Sequence, residues 1–85
     1  MSMDRPTLKT TALEILRSIA PEVEAGDIEA SRPLRNQVDL DSMDWLNFLI
    51  GLHQRLGVNI PEADYARLVT LDNVLDYLQV KLGAG

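Results

Sequence analysis

The chain of 85 residues contains no cysteine. A disulfide framework and a zinc site with thiolate ligands are therefore excluded, and a reducing compartment is compatible with this composition. No stretch approaches the roughly 18 apolar residues that a membrane-spanning helix needs. The N-terminal sequence MSMDRPTLKT lacks the apolar segment of a secretory signal. We therefore expect a cytoplasmic protein without a membrane span.

Basic residues are few: 8 lysines and arginines stand against 13 aspartates and glutamates, for a net charge of -5. They are scattered along the chain and form no basic stripe. Nucleic-acid binding depends on clustered cations that displace counterions from phosphates, so we predict no nucleic-acid partner. An acidic small domain instead suits contacts with basic protein surfaces.

Apolar residues recur at helical spacing in three segments and predict an all-α fold. We expect main helices over residues 7–20, 42–56 and 71–82. Pro21 ends the first helix, Gly57 ends the second, and Thr70 caps the start of the third. A short helix over 62–68 should follow Pro61, which suits a first helical turn. The prediction is a four-helix bundle of three main helices plus one short helix.

Residues 21–41 have no sustained period and form a long predicted loop between the first two helices. A connection of this length in a compact domain usually carries function or is held by buried anchors. We expect its apolar residues to be those anchors: Val23, Ile28, Leu34, Val38 and Leu40. The single domain should span residues 7–82, with flexible tails at 1–6 and 83–85.

The stretch VDLDSMDWLNFLI places Asp39, Asp41 and Asp44 around Ser42, where the second helix begins. The simplest interpretation is a helix cap, with Asp41 as the N-cap and Asp44 in the first turn. Carboxylates there also complement the positive end of the helix dipole. This interpretation explains the aspartates and leaves the Ser42 hydroxyl pointing outward.

Two chemical roles for this stretch are excluded. A calcium loop fails because Met43 cannot ligate and Ile50 stands where the bidentate glutamate belongs. A serine nucleophile needs a nearby base. The only histidine, His53, lies roughly 16 Å further along the same helix at 1.5 Å per residue, and we expect it to be an ordinary surface residue.

A modification site is the remaining chemical interpretation of Ser42. A helix N-terminus offers free N–H groups and a favourable dipole to an attached phosphodiester. The flanking aspartates oppose that local benefit, so their value would lie in recognition by another protein. The residues alone also permit a small helical interaction domain that is never modified.

The segment DLDSMDWLNFLIGLHQRLGVNIPEADYARLVTLDNVLDYL resembles the core of an acyl carrier protein. It shows that family's Asp-Ser-(Leu or Met) motif, amphipathic helix, loop ending in Ile-Pro and closing helix. The resemblance implies that a phosphopantetheinyl transferase attaches a 4'-phosphopantetheine arm from coenzyme A to Ser42. The arm would carry acyl thioesters between acyl-loading, ketosynthase or acyltransferase-type enzymes. The protein would be a monomeric carrier and not a catalyst.

The resemblance also assigns roles to the neighbours of the serine. Asp41 matches the acidic residue before the family's serine and Met43 the apolar residue after it, and with Asp44 they would orient partner enzymes. We expect Asn47 and Ile50 to be further partner contacts. No metal ligand is predicted.

Trp45 lies near the middle of the apolar arc of the second helix. Its side chain either packs in the hydrophobic core, where it buries a large apolar area, or forms the mouth of an acyl cavity.

Typical fatty-acid-synthesis carriers have several glutamates on the second helix, whereas Asp44 is the only acid here. We therefore expect a specialised fatty-acid, polyketide or related biosynthetic pathway. A peptidyl or aminoacyl carrier of the same fold stays an alternative.

Overall fold

The computed structural model describes residues 4–82 and shows the all-α fold that the sequence predicts. In this range the chain forms four α-helices and two 3-10 helices, and no named strand. The α-helices are α1 (Arg5–Ile19), α2 (Leu34–Gln37), α3 (Ser42–Leu56) and α4 (Leu71–Lys81). The 3-10 helices are Ala25–Asp27 and Glu62–Arg67. Of the predicted tails, residues 1–3 and 83–85 lie outside the described residues.

Helix α1 begins at Arg5, two residues before the predicted start. Asp4 is the reason: its Oδ1 accepts a hydrogen bond from the Thr7 N–H at 3.0 Å, which satisfies a free donor of the first turn. Pro6 is tolerated there because first-turn N–H groups have no partner within the helix. The assignment of residues 5 and 6 to a tail was therefore wrong.

Helix α3 has the predicted bounds because both of its ends carry strong local signals. Asp41 caps the start, and Gly57 ends the helix with a φ of 68°, a left-handed conformation that suits glycine. Helix α4 begins with a reciprocal capping box between Thr70 and Asn73. The short helix predicted over 62–68 is a 3-10 helix, Glu62–Arg67.

The long connection between α1 and α3 is more ordered than its sequence indicates. It contains α2, which is too short for apolar spacing to reveal. Backbone hydrogen bonds join the connection to the start of α4: the Leu34 N–H donates to the Val69 carbonyl and the Asp72 N–H to the Ala30 carbonyl, each at 3.0 Å. Ile28 is partly buried, and the other four predicted anchors are buried: Val23, Leu34, Val38 and Leu40.

Helix α1 packs against both α3 and α4 around one apolar core. The largest side chains with under 2% exposure are Phe48, Leu8, Leu16, Leu34, Leu49, Leu52, Leu71, Leu75, Leu78 and Val74. The Ile15 side chain of α1 packs tightly against the α3 backbone at Gly51, where a Cβ atom would lie only 2.6 Å from Ile15 Cγ2. In residues 4–82, no helix has the length and apolar character that crossing a bilayer requires.

The guanidinium of Arg5 joins the start of α1 to α4. It donates to Asp76 Oδ1 at 2.6 Å, to Gln79 Oε1 at 2.8 Å and to Asp72 Oδ1 at 3.0 Å. The hydrogen bond with Asp76, and then that with Asp72, raises the pKa of Arg5, so its charge is secure. Because these groups are partly exposed, we expect a modest contribution to stability.

Candidate functional site

Ser42 is the first residue of α3 and is exposed. The Asp41 side chain is occupied as the helix cap, since its Oδ1 accepts the Asp44 N–H at 2.8 Å. The predicted capping role of Asp41 is therefore confirmed. The Ser42 hydroxyl forms no hydrogen bond with another residue in 4–82 and stands at the capped start of α3. The geometry leaves it accessible to a second protein.

His53, the histidine considered as a base from the sequence, is not placed to activate Ser42. His53 lies near the other end of α3, and its Nδ1 is 2.9 Å from the Val58 carbonyl oxygen. As predicted, His53 is an exposed surface residue. Residues 4–82 contain no group of three or more histidine or acidic side chains placed to hold a metal ion.

A shallow hollow of about 380 Å³ opens beside Ser42. Its lining consists of Arg35, Ser42, Trp45, Leu46, Glu62 and Tyr65. A second hollow of about 500 Å³ shares Arg35, Trp45 and Tyr65 with the first. We call the two together the Trp45 groove, because this side chain lines both. The groove lies among α3, α2 and the 3-10 helix Glu62–Arg67.

Trp45 is 8% exposed and stacks on Phe48 with ring centroids 5.3 Å apart. It belongs to the core and also lines the groove next to the serine. The two interpretations offered for this residue from the sequence are therefore compatible. Its role at the mouth of an acyl cavity stays a prediction.

The sequence did not single out Arg35 or Tyr65, which also line the Trp45 groove. Both come from segments outside α3, and they reach the site only through the tertiary fold. A partial signal existed for Arg35, since it follows the predicted anchor Leu34 directly. Leu34 is fully buried, which fixes the position of α2 beside the site.

The outer face of α3 combines apolar and polar exposed residues. Met43 is 63% exposed and Ile50 is 41% exposed, as predicted. Asn47 is also exposed, and the spacing 43, 47 and 50 places the three on one side of the helix. Asp44, partly buried, is the only acid in α3. This face is therefore less charged than the net charge of the chain suggests.

Residues 10–78 match the family described as "Phosphopantetheine attachment site", and the chain belongs to this family. A relative named acyl carrier protein, from Acidothermus cellulolyticus, is 22% identical over 78 residues. The aligned part covers 92% of this chain and 92% of the relative. The resemblance noted from the sequence is thus confirmed.

Carrier domains of this family hold a covalently attached 4'-phosphopantetheine and are carriers, not catalysts. The residues present fit such a group. An exposed serine at a helix start offers a hydroxyl for a phosphodiester, and the Trp45 groove opens directly beside it. An arm attached here has an apolar surface within reach.

Proposed function

We propose that this protein carries acyl groups as thioesters on a 4'-phosphopantetheine arm attached through the Ser42 hydroxyl. The observation that carries the proposal is an exposed, unengaged serine at the capped start of α3, within a chain of the phosphopantetheine-attachment family. When bound, the arm supplies a terminal thiol that holds the cargo. The rest of the chain presents the serine and offers surfaces to partner enzymes.

Several side chains near the serine have separate tasks in this proposal. Asp41 holds the helix start rigid, so that the transferase meets Ser42 in one orientation. Asp41 and Asp44 also contribute negative charge that a basic partner surface recognises. Met43 and Ile50 supply exposed apolar contacts on the same helix. Trp45 is proposed as the wall of the space that an acyl chain would enter.

The cargo proposed is an acyl group of a specialised fatty-acid, polyketide or related pathway. The name of the Acidothermus cellulolyticus relative favours acyl over aminoacyl or peptidyl cargo. A specialised pathway is proposed because α3 has Asp44 as its only acid, together with exposed apolar residues. The partners would be acyl-loading, ketosynthase or acyltransferase-type enzymes. The cytoplasmic location and the monomeric state expected from the sequence stay predictions.

The attachment is tested by incubating the protein with a phosphopantetheinyl transferase and coenzyme A and then measuring its mass. We expect a gain of one arm that is lost in Ser42→Ala. Ser31→Ala is the matched control, because Ser31 is also exposed but lies in the connection and not at the start of α3. A gain that persists in Ser42→Ala, or no gain with several transferases, would contradict the proposal.

The specialised pathway is tested separately. The acylated protein is offered to the elongation enzymes of housekeeping fatty-acid synthesis, beside the standard carrier of the same organism. We expect poor acceptance, because the outer face of α3 lacks a row of acids. Equal rates with the two carriers would refute a specialised role while leaving the attachment to Ser42 intact.

A further inference from the structure

Among the described residues, Arg35 is the one basic residue that lines the hollow beside Ser42. It lies in α2, is exposed, and lines both parts of the Trp45 groove. Its Nε–H donates to the Leu40 carbonyl at 3.4 Å, a long hydrogen bond that still tethers the side chain near the start of α3. The guanidinium thus retains donors for another group.

Four other arginines form the ion pairs within residues 4–82: Arg5, Arg32, Arg55 and Arg67. Arg35 has no carboxylate partner among these residues. Glu62 also lines the hollow, yet it forms no ion pair with Arg35. Arg17 is also absent from these ion pairs, but it does not line the hollow. The guanidinium of Arg35 lies beside the serine, where it can pair with an anion attached there.

The negative charge around Ser42 means that a cationic side chain would stabilise a phosphodiester attached there. Asp39, Asp41 and Asp44 place three carboxylates within three residues of the serine. A phosphodiester on Ser42 adds a further negative charge, and like charges at this range repel one another. The free N–H groups and dipole of α3 offset part of this repulsion. An arginine offsets this repulsion further, because its planar guanidinium can donate two parallel hydrogen bonds to the phosphate oxygens.

We propose that Arg35 is a positioning residue for the prosthetic arm: its guanidinium pairs with the phosphodiester on Ser42 and directs the arm into the Trp45 groove. This inference rests on the proposed function. The pairing draws the first part of the arm toward Trp45 and Tyr65 and away from Asp41 and Asp44. The arm then divides its time between a docked state in the groove and a free state in solvent, and Arg35 favours the docked state.

The test compares four proteins, each converted to the modified form and checked by mass: the parent, Arg35→Gln, Arg35→Lys and Arg32→Gln. Arg32→Gln is the matched control, because Arg32 lies in the same connection but pairs with Glu29 and does not line the hollow. A fluorophore on the arm thiol reports the docked fraction through its anisotropy. In ¹⁵N-labelled parent protein, the Arg35 Nη–H resonances report the pairing, because the Nη donors are the ones that the Leu40 carbonyl leaves free.

We expect Arg35→Gln to reduce the ratio of docked to free arm by about two- to five-fold, as for an exposed ion pair. Arg35→Lys should retain part of the docking, and Arg32→Gln should match the parent. The Arg35 Nη–H resonances should shift on modification, and the shift should shrink in 1 M salt, where the screening length falls to about 3 Å.

Three results would overturn the inference. These are equal anisotropy in the parent and Arg35→Gln, an equal loss in Arg32→Gln, or an Arg35 resonance that does not respond to modification. A complete absence of mass gain would instead overturn the proposed function, and the inference with it. Since the mass is measured before the anisotropy, the two failures are distinguished within one experiment.

Discussion

Replacing Gly51 with alanine tests how closely α1 and α3 pack. In an exposed helix interior, alanine is favoured over glycine by about 1 kcal/mol. At this position the added Cβ would lie 2.6 Å from Ile15 Cγ2. Optimal carbon–carbon contacts lie near 3.5–4.0 Å, so the two groups would overlap by about 1 Å.

Ile15 has little freedom to relieve this overlap. It is 5% exposed, and a β-branched side chain in a helix is restricted to one preferred χ1 rotamer. Overpacking of this kind costs about 1–3 kcal/mol. After subtraction of the helix-propensity gain, we expect Gly51→Ala to lower the free energy of unfolding by about 0–2 kcal/mol. A loss of 1 kcal/mol corresponds to a fall in Tm of roughly 4–8 °C for a domain of this size.

Thermal unfolding followed by circular dichroism measures the effect. Gly26→Ala is the control, because a Cβ there meets nothing within 4 Å and its φ is not positive. Its Tm should stay unchanged or rise slightly. In an Ile15→Ala background, which removes the contacted methyl, Gly51→Ala should become stabilising. A higher Tm for Gly51→Ala in the parent background would refute the close approach.

Three further predictions concern the site and its surroundings. Asp41→Asn should keep the unfolding free energy within about 0.5 kcal/mol of the parent value, because Asn caps a helix as well as Asp, whereas Asp41→Ala should lower it by about 1 kcal/mol. The rate of phosphopantetheine attachment should fall in both variants. A parent rate of attachment in Asp41→Asn would show that Asp41 acts only as a cap. Trp45→Leu should lower the free energy of unfolding by less than the roughly 3–5 kcal/mol that truncation to alanine costs. It should also alter the transfer of long acyl groups but not of short ones. Equal effects on long and short groups would show that Trp45 is a core residue only. Burial of the phenol and its hydrogen bond to Asp64 raise the pKa of Tyr77 to about 12 from 10.0. The folded state therefore favours the neutral phenol, so its stabilisation is present below pH 10.0 and is lost as the pH rises toward about 12. Tyr77→Phe should flatten this alkaline decline in urea unfolding, and an unchanged decline would contradict the assignment.

The parts of the fold that the sequence predicted best are those with strong local signals. Helix α3 has the predicted bounds because an aspartate cap and a left-handed glycine mark its two ends. The start of α1 was missed because the apolar spacing begins only at Leu8, whereas Asp4 caps the helix four residues earlier. Helix α2 was missed because four residues cannot show a period, although its buried Leu34 was recognised as an anchor.

The candidate site likewise contains residues that local sequence signals predict and residues that they do not. Ser42, its cap and its exposure follow from a few adjacent residues, and the sequence was sufficient for them. Arg35 and Tyr65 are brought to Ser42 by hydrogen bonds and burial that link the connection, the 3-10 helix and α4. No pattern within either segment shows that juxtaposition, because it depends on long-range packing.

Trp45 has a practical consequence for experiments on this protein. It is the only tryptophan of the chain, it lies one helical turn after Ser42, and it contacts both the core and the groove. Intrinsic ultraviolet emission therefore comes chiefly from one known position beside the proposed attachment point. Arrival of the arm, loading of cargo and its release should each change the surroundings of this single fluorophore. The protein thus contains its own optical reporter, and a transfer cycle could be followed in real time without a chemical label.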